Sequence, residues 1–348
     1  MKIEPLSAAR VIHHGQRYRA VHCQVSDDPL VVVNFEFWWP APSREPPPTA
    51  QEFFTARGIN FVGVRGARND WFQHDEILEV LEAVRAATPG GRRVGYGGSM
   101  GGYAVINFAQ DLGLDSLVAV CPQFSIDPRK APFEPRWRDE AAAIAFRHDK
   151  IDRIAPIRHG YAIFDPATVD AAHMAMITRR HAITPIRMHF AGHDVLRMLT
   201  GAGVAAELLI GLVRDTVDHA GFVRRLRATR ATYAPFWLAA AEARARRGHA
   251  RAALRAIVRA KAQALPDPPR ADIAHAIILR QHGRIEEALA LLAAHPDVAI
   301  ADEMRAWQVR HLYARVAGLE AQVAAMTSSL SWRLTAPLRA INGWLRRR

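Results

Sequence analysis

Up to about residue 215, short apolar runs alternate with stretches whose apolar residues recur at helical spacing. Residues 8–24 predict a β-hairpin with Gly15 near its turn. Leu30 to Phe37 (LVVVNFEF) is a continuous apolar run of strand length, the kind buried on both faces. A proline-rich loop follows, then a short helix over Gln51–Arg57 and a second buried strand, Asn60–Val64. The pattern over Asp75–Ala87 is an amphipathic helix, stopped by Pro89-Gly90-Gly91. Strands are expected before Ser99, over Ser116–Cys121, at Tyr161–Phe164 and over Ile186–Phe190, the last with His189 as a packing residue. Helices are expected after Ser99, near 139–147 and over Val169–Arg180. Strands alternating with helices at this spacing predict an α/β class, a mostly parallel sheet covered on both faces.

Near residue 230 the composition turns to alanine, leucine and arginine. GHARAALRAI from Gly248 aligns with GRIEEALALL from Gly283, a period of about 35 residues that resembles a tetratricopeptide pair. A plain helical hairpin extension accounts for the same pattern. Val309, Leu312, Val316, Leu319, Val323, Met326 and Leu330 alternate by three and four, the a/d seam of a coiled coil. Homo-oligomerisation through 309–330 is the expectation, with packing on the helical repeats as the alternative. The final stretch, 331–348, sets Trp332, Leu334, Leu338, Ile341, Trp344 and Leu345 among five arginines. Such a helix suits an anionic membrane surface, or else packs on the coiled coil. The expected organisation is an α/β domain over 1–228 with an insertion at 123–158, helical repeats over 229–298, a coiled-coil helix over 299–330 and the basic tail.

Composition adds bounds. The chain of 348 residues is long enough for one sizeable core and a smaller unit. Its net charge of +12 is carried mostly by arginine and argues for an anionic partner only where it clusters, as in the tail. No nucleic-acid-binding motif is visible. The two cysteines, Cys23 and Cys121, lie in separate strand-like runs and are expected as buried free thiols. The N-terminus has no apolar core of a signal peptide, and no run reaches the ~18 apolar residues of a membrane span. A cytoplasmic location follows, peripheral on the inner membrane face if the tail binds lipid. His13-His14 has no partners at metal-ligand spacing, and neither a metal nor a cofactor is expected.

The candidate chemistry sits at VGYGGSMGGYAVINFA, Val94 to Ala109: strand, very tight turn, helix. Gly97-Gly98-Ser99-Met100-Gly101 fits G-x-S-x-G, where a serine sits in strained backbone geometry and the flanking glycines spare a Cβ clash. Glycine-rich turns also cradle phosphates, but the Gly-Lys-Ser/Thr ending is absent and the dinucleotide spacing fails at Met100. A serine nucleophile needs a base oriented by an acid. After Ser99, Asp165 stands at a strand end, Asp170 follows it, and His193 lies past the last strand.

GYGGSMGGYA, FDP and FAGHD make the first ~215 residues resemble the α/β-hydrolase fold, in a bacterial subgroup associated with surface-polysaccharide enzymes. SWRLTAPLR in the tail also resembles a segment of bacterial surface-glycan proteins. The resemblance implies Ser99 as nucleophile, His193 as general base and then acid, and Asp165 as orienting carboxylate, with Asp170 the alternative. It implies the Met100 N–H as one oxyanion donor, and Glu36 or Phe37 as the second. The Asn69-Asp70-Trp71 loop is expected to line the pocket, or else Asn69 and Asp70 only cap the next helix. The 123–158 insertion stands where this fold carries a lid, and its Phe133, Arg136, Trp137 and Arg138 are candidates for holding a polar or sugar-bearing substrate, with simple solvation of the arginines as the alternative. The implied activity is a serine esterase removing an O-acyl group from a glycan or small ester. An O-acyltransferase with the same residues and an inactive scaffold in polysaccharide assembly are the alternatives.

Overall fold

The computed structural model describes residues 9–263, 265, 268–296, 316, 318–320 and 322–326. The chain opens with β1 (Arg10–His14) and β2 (Tyr18–Cys23), then β3 (Leu30–Phe35), α1 (Gln51–Thr55), β4 (Asn60–Gly66) and α2 (Ile77–Ala87). Next come β5 (Arg92–Gly98), α3 (Met100–Asn107), α4 (Ala109–Leu112), β6 (Ser116–Val120), α5 (Arg138–Ala143) and β7 (Tyr161–Phe164). The domain closes with α6 (Asp170–Thr178), β8 (Thr184–Arg187), α7 (Val195–Gly201), α8 (Ala205–Arg214) and α9 (His219–Arg230). Among the described residues up to 296, four further helices follow: α10 (Ala234–Arg246), α11 (Ala250–Lys261), α12 (Pro268–Gln281) and α13 (Ile285–Ala293).

The eight strands form one sheet in the order β1-β2-β4-β3-β5-β6-β7-β8. β1 and β2 run antiparallel to their neighbours, and every other pairing is parallel. This is an α/β-hydrolase-type sheet. β3, β4 and β6 are buried at every position, as their largely apolar runs require of strands covered on both faces. The central strand is β5, paired with β3 at Phe35↔Gly97 and with β6 at Ala119↔Gly97. The nucleophile turn therefore leaves the middle of the sheet at its carboxyl edge, the position at which open parallel sheets place their ligands.

Two boundaries differ from expectation. β8 begins at Thr184 and ends at Arg187, because the chain turns at Met188–Ala191, with Phe190 at φ 67°. His189 consequently falls beyond the strand and is exposed rather than packed in the core. Cys23 and Cys121 are free and buried.

α10 and α11, and α12 and α13, form two helical hairpins turned at Gly248 (φ 74°) and Gly283 (φ 73°), a backbone region that favours glycine. Leu238, Ala241, Ala253, Ile257, Ala274 and Ile278 form the seam between them. The hairpins are not detached from the sheet domain. Phe236 at the start of α10 belongs to the main core, with its ring 5.7 Å from that of Phe190. Of the heptad seam, Val316, Leu319, Val323 and Met326 are described and exposed. Val309, Leu312, Leu330 and the tail 331–348 lie outside the described residues. No helix among the described residues is long and apolar enough to cross a membrane.

Candidate active site

Ser99 sits between β5 and α3 at φ 51°, ψ −115°, a strained conformation for a residue with a side chain. The turn closes only because its neighbours lack Cβ atoms. A Cβ on Gly97 would strike the Gly101 backbone, and one on Gly101 would strike the Phe35 carbonyl. Ser99 N–H is tied to Val120 O at 2.8 Å, and its carbonyl accepts from Tyr103 N–H at 2.9 Å, so the main chain is fixed on both sides.

His193 Nε2 lies 3.0 Å from Ser99 Oγ, and its Nδ1 lies 2.8 Å from Asp170 Oδ2. The Asp170 side chain is fully buried, whereas that of His193 is 31% exposed. Burial by itself would raise the Asp170 carboxyl, but the His193 hydrogen bond and the Arg136 guanidinium outweigh it and hold the group below its usual range. The carboxylate on His193 is therefore Asp170 and not Asp165. Asp165 is equally buried but already committed: Oδ2 accepts from Gly192 N–H and Oδ1 from Ala167 N–H, each at 2.9 Å. It braces the loop that carries His193 while Asp170, one turn further on at the start of α6, faces the imidazole.

Met100 N–H is the first amide of α3, directly after Ser99, and has no intrahelical acceptor. Of the two candidates for a second donor, Glu36 is ruled out because its amide donates to Val64 O at 3.1 Å. The Phe37 amide makes only a long 3.3 Å bond to the Glu36 side chain. Sequence reasoning missed Gln123, on the loop after β6. It is fully buried, donates from Nε2 to Ser99 Oγ at 3.0 Å, and receives the Trp71 indole N–H on Oε1 at 3.4 Å. No local motif marks it, since only the β5–β6 pairing brings it to Ser99.

A cavity of about 460 Å³ opens over Ser99 and His193, walled by Phe37, Trp38, Trp39, Trp137 and Leu196. Trp137 comes from the 123–158 insertion, its ring 5.7 Å from that of Trp38 and 6.3 Å from His193. The other expected pocket residues lie elsewhere. Trp71 is fully buried, and its indole supports Gln123. Asn69 bonds both backbone groups of Trp39, which fixes the loop after β3. Asp70 accepts from Tyr18 OH and from Phe72 N–H, and burial pushes its carboxyl up. Asn69 and Asp70 instead line a larger cavity, about 630 Å³, whose walls include neither Ser99 nor His193. A third cavity, about 320 Å³, runs from His193 to α10 and α12, past Arg197, Arg246 and Arg270.

Cys121, Asp170 and His193 place potential ligand atoms within 4.8 Å of one another. The guanidinium of Arg136 lies 2.8 Å from Asp170 and 2.9 Å from His193, and a second cation beside it would meet direct repulsion. These residues do not fit a metal.

Sheet, nucleophile turn and hydrogen-bonded Ser-His-Asp alignment define an α/β-hydrolase-type domain followed by helical hairpins. No family model matches the chain, and no curated protein matches its sequence. Among solved structures it is similar to the capsule O-acetyltransferase of Neisseria meningitidis serogroup A, at 10% identity and TM-score 0.43, over 61% of this chain and 96% of that one. A lidless serine hydrolase from Xanthomonas campestris is similar at 17% identity and TM-score 0.39, over 64% and 96%. Mouse alpha/beta hydrolase domain-containing protein 10 is similar at 13% identity and TM-score 0.42, over 61% and 99%.

Proposed function

We propose that the chain is a serine hydrolase that cleaves a carboxylic ester through an acyl-enzyme. The observation that carries the reading is the continuous line from Ser99 Oγ through His193 to Asp170, at 3.0 and 2.8 Å. A serine hydroxyl is a poor nucleophile until a base takes its proton. His193 Nε2 takes it as Oγ adds to the ester carbonyl, and Asp170 holds the imidazolium through Nδ1. The carbonyl oxygen, now an anion, turns to the Met100 N–H, with the Phe37 N–H as second donor once it leaves its long bond to Glu36. His193 returns the proton to the departing alcohol. A water then attacks the acyl group by the same route and frees the acid and Ser99.

The aromatic wall of the cavity suits the flat, apolar face of a sugar ring or a short acyl chain, and an O-acyl glycan is the substrate class proposed. Transfer to a sugar hydroxyl is the second reading, and the observation favouring it is the same apolar lining, which disfavours water as acceptor. An activated serine reacts with a fluorophosphonate probe, and labelling absent in Ser99→Ala supports the proposal. Wild-type protein that resists the probe at every pH overturns it. Release of free acetate from an acetylated oligosaccharide, against its appearance on an added sugar, separates hydrolysis from transfer.

The C-terminal region is proposed to act in localisation and assembly. Residues 331–348 bind anionic membrane, and the exposed Val316, Leu319, Val323 and Met326 belong to an oligomer seam. Flotation with anionic liposomes, lost on deletion of 331–348, tests the first. Sedimentation of a Leu319→Glu/Val323→Glu variant tests the second.

A further inference from the structure

Beyond the Ser99-His193-Asp170 line lies a second ionic cluster that the proposed chemistry does not use. Arg136, on the 123–158 insertion, sets Nη2 2.8 Å from Asp170 Oδ1 as an ion pair without hydrogen-bond alignment. Its Nη1 lies 2.9 Å from His193 Nδ1. The guanidinium is gripped from behind by Glu134, through Nε to Oε1 at 2.9 Å and Nη2 to Oε2 at 2.5 Å. Glu134 is itself held by His173 Nε2 at 2.8 Å. Phe124 N–H donates to His173 Nδ1 at 3.1 Å, which fixes His173 as a neutral ring with its proton on Nε2, toward Glu134. His173 stands three residues after Asp170 on α6, so one helix carries both ends of the network.

Arg136 and Asp170 make opposite demands on His193. The carboxylate asks for a proton on Nδ1, the tautomer that leaves Nε2 free to take one from Ser99. The guanidinium asks for a lone pair on Nδ1 and opposes any positive charge on the ring. Glu134 pulls the guanidinium back and offsets part of its charge. We infer that Arg136 and Glu134 are positioning residues that set the basicity of His193 with opposite signs, the arginine lowering it and the glutamate restoring it. The inference rests on the proposed role of His193 as base.

Other charges face the ring. Asp194, which caps α7, and Arg197 within it pair with each other at 3.1 Å at the exposed rim. Burial, with Asp170 beside it, holds the Cys121 thiol protonated. Asp165 is engaged by Gly192, and Glu242, Arg246 and Arg270 border the cavity on the far side. None of these lies between Arg136 and Nδ1.

The test is the pH dependence of kcat/KM for p-nitrophenyl acetate. Its acidic limb reports the free-enzyme base. Arg136→Met is expected to move that limb up by about 1 pH unit, the low end for one charge at hydrogen-bond distance, because the imidazole is part-exposed. Glu134→Gln is expected to move it down, and Arg136→Met/Glu134→Gln to return it toward the wild-type position. Arg136→Lys keeps the charge and is expected to hold the limb while lowering kcat. Shifts of the same sign in the two single variants, or no shift in either, overturn the inference. Should Arg136→Met fail to fold, Glu134→Gln and the charge-neutral double variant still decide the sign. If instead Ser99→Ala and wild type turn over the ester equally, the nucleophile reading falls, whatever the limb does.

Discussion

Exchanging the two candidate carboxylates one at a time separates them sharply. In Asp170→Asn, the fully buried oxygen 2.8 Å from His193 Nδ1 gives way to an amide. If the amide oxygen faces the ring, the tautomer survives but no negative charge supports the imidazolium. If the amino group faces it, Nδ1 must accept, and Nε2 then carries a hydrogen toward Ser99 and cannot act as base. Arg136 favours the second arrangement, because its guanidinium already offers a proton to Nδ1 at 2.9 Å. Removing the orienting acid of such a triad costs roughly 10⁴-fold in kcat, which converts to ~5.5 kcal/mol of transition-state stabilisation. Asp165→Asn acts differently. An asparagine oxygen can keep one of the two N–H bonds at Gly192 and Ala167 and loses the other, which costs about 1–3 kcal/mol of local stability and leaves the charge on His193 intact. A drop of at most about tenfold is expected there. Steady-state hydrolysis of p-nitrophenyl acetate, normalised by active-site titration, measures both, with circular dichroism as the check on folding. If Asp165→Asn loses ~10³-fold or more while Asp170→Asn stays within about threefold of wild type, the geometric assignment is wrong.

Gln123→Leu removes the donor at Ser99 Oγ and leaves the buried Trp71 indole N–H unpaired, and is expected to slow fluorophosphonate labelling by about tenfold while lowering the Tm by an amount equivalent to about 1–3 kcal/mol. Trp137→Ala and Trp38→Ala take away cavity wall, so an increase in KM for aromatic or sugar esters larger than the fall in kcat is expected from kinetics. Gly97→Ala and Gly101→Ala force a Cβ into backbone atoms on either side of the turn, and the soluble yield of either variant, measured by size-exclusion chromatography, is expected to collapse. Burial would raise the Glu134 carboxyl, but the Arg136 and His173 hydrogen bonds hold it at about 2, below its ordinary 4.5. A depressed carboxylate stabilises the fold above the ordinary value and loses that contribution as the pH falls toward 2. Acid unfolding followed by tryptophan fluorescence should therefore be steep in this range for wild type and shallower for Glu134→Gln.

Local grammar made most of the sheet domain readable in the sequence. Val31–Val33 and Val118–Val120 are buried on both faces and announce themselves by unbroken apolar runs, and β7 falls on the expected Tyr161–Phe164. The nucleophile turn was legible because a steric requirement forces glycine at Gly97 and Gly101. The orienting acid was not, because Asp165 and Asp170 are both carboxylates past β7 and differ only in what meets them. That is settled by tertiary contacts: the backbone amides of Gly192 and Ala167 for one, the imidazole for the other. Gln123 and Glu134 were silent for the same reason. Trp71 misled because an aromatic beside Asn69 and Asp70 reads as a pocket edge, whereas the backbone at φ 50° turns its ring inward under Gln123.

The candidate site is held together less by Ser99 than by the fixing of the histidine. Ser99 is locked by its turn, but His193 hangs on a loop where Gly192 and Phe190 both take positive φ, and free chain would leave it in many positions. Three independent restraints remove that freedom. Asp165 holds the Gly192 amide from the sheet side, and Asp170 of α6 with Arg136 of the insertion holds the ring. The helical hairpins supply the third: Phe236 packs edge-on against Phe190 at 5.7 Å, with the Arg244 guanidinium 5.5 Å over the same Phe190 ring. A loop ordered from three sides has little freedom left to lose, so on the proposed chemistry His193 Nε2 is already placed beside Ser99 Oγ before substrate arrives. The hairpins are thus part of what shapes the site, through an apolar contact at Phe190, three residues before His193.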